Sequence, residues 1–185
     1  MKATGIVRRI DDLGRVVIPK ELRRAMRIRE GDPLEIFTDR DGEVIFKKYS
    51  PIGELGKIAA QYAETLAKTC NLSVAVTDRD VVIAAAGVPK KDYLDKAVSK
   101  ELDGIMASRQ FRDLSERQGA ETIRISDDVR AEHSVACASP IISEGDVIGC
   151  VVSLRAAENV REKAGETEKE LVKTASSFLG RQLED

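Results

Sequence analysis

The sequence predicts two folded segments of different class. Residues 1–50 read as a small β-rich unit with one short helix, built to pair with a second copy through interleaved hairpins. Residues 51–185 read as an α+β domain in which an antiparallel sheet carries flanking helices. Three observations predict this. Tyr49-Ser50-Pro51 marks a break, with proline as the punctuation. Short β-type runs before it give way to a long stripe of helical spacing after it. Charge also changes sign along the chain. Residues 1–29 hold nine bases (Lys2, Arg8, Arg9, Arg15, Lys20, Arg23, Arg24, Arg27 and Arg29) against three acids (Asp11, Asp12 and Glu21), whereas residues 51–185 hold 18 bases and 23 acids.

The composition bounds the function classes. With 185 residues, 34% charged and 42% hydrophobic, the chain has room for one domain or two small ones and the balance of a folded protein. No apolar run reaches the roughly 18 residues of a spanning helix. The opening MKATGIVRRIDD lacks the apolar block of a signal peptide, so a cytoplasmic protein without membrane attachment is expected. Three cysteines without CxxC spacing point away from a disulfide framework or a zinc site, and a single histidine away from a His-rich metal site; no metal and no cofactor are expected.

In the first segment, Gly5–Ile10 and Arg15–Ile18 read as strands around the turn Asp11-Asp12-Leu13-Gly14, where glycine can supply a positive φ. Pro19 ends the second strand and pre-sets a helix over about 20–28, with Leu22, Ala25 and Met26 as its apolar stripe. Gly31-Asp32-Pro33 stops it. Leu34–Thr38 and Glu43–Tyr49 make a hairpin around Asp41-Gly42. Fifty residues rarely bury enough apolar surface to stand alone. Phe37 and Ile45 also fall on faces opposite Leu34/Ile36 and Val44/Phe46, so these strands ask for cover on both sides. One short helix cannot give it, and an obligate intertwined dimer is expected.

In the second segment, Ile52, Leu55, Ile58, Ala59, Tyr62 and Leu66 recur at helical spacing. Ser73–Thr77 and Val81–Ala86 read as strands around Asp78-Arg79-Asp80. Asp92 is expected to cap a helix that turns Leu94, Ala97, Val98, Leu102, Ile105 and Met106 inward. Thr122–Ser126 alternates like a short strand. Ser134–Ile142 and Val147–Leu154 flank a hairpin turn at 143–146. Thr167 and Glu170 have the spacing of a capping box for a last helix striped by Leu171, Val172, Ala175, Phe178 and Leu179.

The basic end has the pattern of a duplex-binding surface. Lys20, Arg24 and Arg27 recur at i, i+4, i+7 beside Arg23, opposite the Leu22/Met26 stripe, while Arg8 and Arg15 flank the 11–14 turn. Arginine offers a permanently charged planar fork suited to phosphate oxygens and guanine edges. No aromatic residue precedes Phe37. Single-stranded nucleic acid is usually held by aromatic stacking, so an aromatic-free arginine cluster suits double-stranded DNA better. The plainer reading is that individual arginines pair with Asp11, Asp12 or Glu21 on the surface.

Residues 1–52, with the blocks TGIVR, DDLGRVVIPKELRR and DPLEIF, closely resemble the N-terminal domain of the AbrB-type transition-state regulators. The resemblance implies a swapped-hairpin DNA-binding dimer in which Arg8, Arg15, Arg23 and Arg24 contact DNA. Lys2, Arg9, Lys20 and Arg27 support them on charge alone. It also implies that DNA shape and flexibility are read more than a strict consensus. Residues 51–185, through TDRDVVIAAAG, KKDYL and the region 140–149, are similar to a GAF domain. The whole chain resembles regulators of endospore-forming bacteria that join these two parts. That resemblance implies a homotetramer in which second domains link two DNA-binding dimers through their helices, and activation and repression of genes in the forespore.

Other residues offer different chemistry. His133 and Cys137 stand four apart, would share a face of a regular strand, and could form a nucleophile pair of the kind a GAF-type redox enzyme would use. Cys137 and Cys150 both lie among small core-type residues, which favours a packing role. Arg124, Arg130 and Arg155 could meet an anion, although surface pairing is the plainer reading. GAF sheets often form a small-molecule pocket, and nothing in the residues names a ligand for one. An antitoxin-like module is the alternative among binding proteins, since swapped hairpins occur there too; a long structured second segment weighs against it.

Overall fold

The computed structural model describes residues 5–26, 28–49, 52–114, 122–128, 133–156 and 164–184. The chain divides into two units, Met1–Tyr49 and Ser50–Asp185. In the first, Asp11 and Arg15 close a tight turn. The Asp11 amide donates to the Arg15 carbonyl at 3.1 Å and the Gly14 amide to the Asp11 carbonyl at 3.0 Å, with Gly14 at φ +76°. Helix α1 (Lys20–Ala25) follows, with Pro19 at its N-cap and φ −58° there. It is shorter than the expected 20–28: the Ile28 amide reaches back to the Arg23 carbonyl at 2.7 Å and the chain turns away. Strands β1 (Leu34–Thr38) and β2 (Val44–Lys48) form an antiparallel hairpin. Its loop is organised by Asp39, whose Oδ1 accepts from the Asp41 and Glu43 amides, and by Gly42 at φ +81°.

One feature of this unit differs from the sequence expectation, and a second, the incomplete burial in one chain, agrees with it. Residues 5–10 and 15–18 are not strands within one chain. Strand composition is present, but in one chain these segments form no ladder with a strand among the described residues. Burial fails in parallel: Val7 is 89% exposed, Leu13 70%, Val17 70% and Ile10 69%, and Ile36 and Val44 are exposed as well. Among the described residues of the unit, Ile28 is the one buried hydrophobic side chain.

The second unit has a complete core. Helix α2 (Ile52–Cys70) leads into strands β3 (Ser73–Asp78) and β4 (Val82–Ala86). Between these strands the Asp78 Oδ1 accepts from the Asp80 and Val81 amides, both at 2.7 Å. Helices α3 (Lys90–Tyr93) and α4 (Lys100–Ser108), the short strand β5 (Arg112–Asp113), the long strands β6 (His133–Ser143) and β7 (Asp146–Ala156), and helix α5 (Glu166–Arg181) complete it. The five strands form one antiparallel sheet in the order β4-β3-β7-β6-β5. The β6–β7 turn carries positive φ at Glu144 and Gly145, the geometry that matches strand twist in two-residue hairpins. One face of the sheet, with Val74, Val76, Cys137, Ile141 and Val151, packs on Ala59 and Leu66 of α2 and Val172, Ala175 and Leu179 of α5. The other face, with Ala75, Val82, Ala138 and Val152, packs on Tyr93, Leu102, Ile105 and Met106.

Three local expectations are corrected here. The single helix expected beyond Asp92 is two helices. Asp95 takes φ +61°, Val81 and Ala97 form a bridge, and Ser99 caps α4 by accepting from the Leu102 amide at 3.1 Å. Residues 122–126 are not a strand; they are tied by single hydrogen bonds, Ser99 amide to Ile125 carbonyl and Val135 amide to Ile123 carbonyl, while Arg112–Asp113 takes the sheet edge. Helix α5 starts at Glu166 with Gly165 at its N-cap and no side-chain cap, so Thr167 lies inside it. A β-bulge also interrupts β6, where Val135 faces Leu154 but Cys137 already faces Ser153. The extra residue reverses the alternation, so Val135 and Ala138 share one face and Cys137 takes the other.

Two helical glycines separate close packing from intrinsic propensity. A Cβ at Gly180 would overlap the Ile142 carbonyl, whereas one at Gly104 would meet nothing within 4 Å. Gly180→Ala is expected to cost about 2–3 kcal/mol of overpacking and to lower the melting temperature by roughly 5–10 °C. Gly104→Ala is expected to add up to ~1 kcal/mol through helix propensity. Indistinguishable melting curves for the two variants would refute the packing assignment.

Candidate nucleic-acid interface

Backbone geometry places the basic residues of the first unit. Arg8 and Arg9 lie on the arm entering the 11–14 turn, Arg15 on the arm leaving it, and all three are exposed. Pro19 starts α1 immediately afterwards, so Lys20 and Arg24 stand one helical turn apart, both exposed. Arg23 differs. It is half-buried, and its Nε is buried with no hydrogen-bond partner among the described residues. Lys2 and Arg27 lie outside the described residues. The α1 stripe is only partly covered in one chain: Leu22 is half-buried, Ala25 and Met26 exposed.

One arginine is engaged as the plainer reading anticipated. The Asp11 Oδ2 accepts from Arg15 Nε at 2.7 Å, and its Oδ1 accepts from the Arg15 amide at 2.7 Å and the Leu13 amide at 3.1 Å. The Arg15 amide, and then its guanidinium, hold the Asp11 carboxyl below the usual carboxylate range. Arg15 nevertheless keeps 69% of its side chain exposed. Sequence reasoning singled out Asp11 as a turn residue and as one of three acids open to any of the arginines; the closeness of Asp11 and Arg15 across the turn is the signal that could have named the pair. Elsewhere in the unit Asp32 is a buried anchor: it accepts from the Arg29 amide at 2.8 Å and pairs with Lys48 at 3.6 Å.

The candidate chemistry of the second unit does not assemble. The bulge in β6 puts Cys137 on the α2–α5 side, whereas His133 turns to the other side, where its Nδ1 shares a 2.8 Å hydrogen bond with the Tyr93 hydroxyl. Cys137 is fully buried 3.4 Å from Ser153 Oγ, and burial pushes its thiol up to about 11, with the charges of Glu168 and Asp113 adding to the effect. Burial raises Cys150 further still. Arg155 binds Glu168 at 2.7 Å beside the Ser153 hydroxyl, Arg124 is exposed, and Arg130 lies outside the described residues. Among the described residues no cluster of three His, Cys, Asp or Glu is placed to hold a metal ion, and no helix is long and apolar enough to cross a membrane.

A thiol whose pKa is raised stays protonated, and therefore unreactive, until the pH approaches the raised value. At pH 8 a thiol-selective disulfide reagent is expected to modify exposed Cys70 quickly, and Cys137 and Cys150 only on unfolding. Rapid modification of three thiols in the folded protein would contradict the buried placement.

Comparison with known proteins follows this division into units. Residues 54–184 match the family model described as stage V sporulation protein T C-terminal, transcription factor. Residues 7–53 match the model of MazE, a bacterial antitoxin for antidote-toxin recognition. Stage V sporulation protein T of Bacillus subtilis is 52% identical over 184 residues, covering 100% of this chain and 99% of that protein. The transition state regulatory protein AbrB of the same organism is 63% identical over 51 residues, 28% of this chain and 52% of its own length. In structure, the GAF domain of a phosphoenolpyruvate-protein phosphotransferase from Coxiella burnetii aligns with a TM-score of 0.53 at 16% identity, over 70% of this chain and 82% of that one. The last likeness establishes a GAF-type fold in the larger unit. With identity running through both units from end to end, the chain belongs to the stage V sporulation protein T family of transcription factors.

Proposed function

We propose that the protein regulates transcription during sporulation by gripping duplex DNA with Arg8, Arg15, Arg23 and Arg24 of a dimer formed by residues 1–50. Membership of a transcription-factor family and the AbrB-like first unit give the partner as DNA and the role as regulation. The observation that carries the rest is the exposed apolar surface of the first unit, with Val7, Ile10, Leu13 and Val17 uncovered in one chain. Interleaving two copies would bury that surface, provide the missing edges for residues 5–10 and 15–18, and repeat each arginine about a two-fold axis. Lys2, Arg9, Lys20 and Arg27 add charge around the contacts. Residues 51–185 form the oligomerisation and sensory domain, joining two dimers into a tetramer through helices and receiving a small-molecule signal. Action in the forespore, as activator and repressor, completes the reading. The MazE match over residues 7–53 supports an antitoxin-like reading of the first unit alone; a folded GAF-type second unit and end-to-end similarity to a sporulation protein favour the regulator.

In gel shifts with promoter fragments, Arg15→Ala and Arg24→Ala are each expected to weaken binding by about tenfold or more while the dimer stays folded. Affinity is expected to fall steeply with salt, because several phosphate contacts release counterions. Unchanged affinity in both variants would remove the arginine assignment. In sedimentation, a fragment ending at Ser50 is expected to remain dimeric where the full chain is tetrameric, and a folded monomeric fragment would remove the interleaving.

A further inference from the structure

Arg15 is unlike Arg8 and Arg9 across the turn because its guanidinium is already held by a described residue. The Asp11 carboxylate takes two backbone amides on Oδ1 and the Arg15 Nε on Oδ2. Surface ion pairs contribute little to stability, so a fold-stabilising role does not account for the arrangement. Its geometric effect is larger. An arginine can present either its Nε–Nη edge or its two terminal nitrogens, and each can bind an anion in bidentate fashion. With Nε committed, the terminal pair is the edge left to donate, and a carboxylate stands beside it. A phosphate oxygen approaching that site meets like charge, whereas a guanine edge presents neutral O6 and N7 acceptors.

We propose that Asp11 is a positioning residue that turns Arg15 from a phosphate contact into a reader of base edges. This rests on the reading of Arg15 as a DNA-contacting residue. Asp11 thereby exchanges raw affinity for sequence discrimination. Because the Arg15 amide and guanidinium hold the Asp11 carboxyl below the usual carboxylate range, the grip stays charged to more acidic pH than an ordinary carboxylate would.

The test compares two duplexes: one selected by the wild-type protein from a random pool, and a scrambled sequence of the same length. Asp11→Asn keeps a carbonyl oxygen for the loop amides but loses the charge and the Oδ2 acceptor for Nε. It is expected to lower the selected-to-scrambled affinity ratio about tenfold. It should also steepen the log–log salt dependence by roughly 1 for each protomer whose Arg15 drops onto a phosphate. In an Arg15→Ala background the same change should leave both readouts where Arg15→Ala put them. Arg15→Lys leaves the Asp11 grip on the loop amides in place and drops Nε and the planar fork. It should lose discrimination as Asp11→Asn does, and so tests the idea even where Asp11→Asn fails to fold. Wild-type ratio and slope in Asp11→Asn or Arg15→Lys, with Arg15→Ala weakened, would overturn the positioning role alone. Wild-type binding by Arg15→Ala would overturn the arginine assignment and this proposal with it.

Discussion

The first 49 residues cannot bury their own apolar surface, and the organisation of the chain depends on that constraint. Each aliphatic side chain left in water forgoes roughly 1.5–3 kcal/mol of burial free energy, and Ile6, Val7, Ile10, Leu13, Val16, Val17, Ile36 and Val44 are all exposed in a single copy. Among the described residues of this unit, one six-residue helix and one hairpin leave these side chains uncovered in one chain. On the proposed pairing, the arginines are carried by the paired body, and the packing that would bring two copies together would also double the cationic surface. Affinity for a symmetric polyanion and stability of the small unit would thus come from one packing event.

The larger unit solves its burial within one chain. Its sheet is covered on both faces, by α2 and α5 on one side and by α3, α4 and residues 122–126 on the other. Small residues allow this closeness, as Ala75, Ala84, Ala85, Ala86, Ala138 and Cys150 all lie in the core. Polar groups in that core are paired at two places, where Ser139 meets Ser176 at 2.7 Å and Glu168 is held by both Ser153 and Arg155, whereas the Thr77 hydroxyl is buried without a hydrogen-bond partner among the described residues. The cysteines belong with this packing, which explains why thiol chemistry is suppressed there.

Elements governed by a single dominant period were legible from the sequence. The α2 stripe, the hairpin of β6 and β7 and the stripe on α5 follow from spacing that tertiary contacts reinforce. The failures occurred where apolar spacing had two solutions. Leu94, Ala97, Val98 and Leu102 fit a helix, yet a backbone bridge at Ala97 and a serine cap at Ser99 win, because they also pair backbone groups of Val81, Asp80 and Ile125. Ile123 and Ile125 fit a strand, but the sheet edge is already taken by residues 112–113. The bulge in β6 has no compositional mark, so the facing of His133 and Cys137 could not be deduced from their separation. At the basic end, charge and the absence of aromatics located the surface. The division of labour among its arginines needed coordinates: Arg15 in the Asp11 grip, Arg23 with a sequestered Nε, Arg8 and Arg24 in the open.

Helix α5 is pinned at both of its ends by different physics. Near its start, buried Glu168 is locked electrostatically to Arg155 and Ser153 on β7; near its finish, Gly180 sits so close to the Ile142 carbonyl that no side chain fits between. A rod fastened at two points along its axis cannot slide on the sheet by even one residue without breaking one fastening. Any message that passes through α5 must therefore move helix and sheet as a single lever arm.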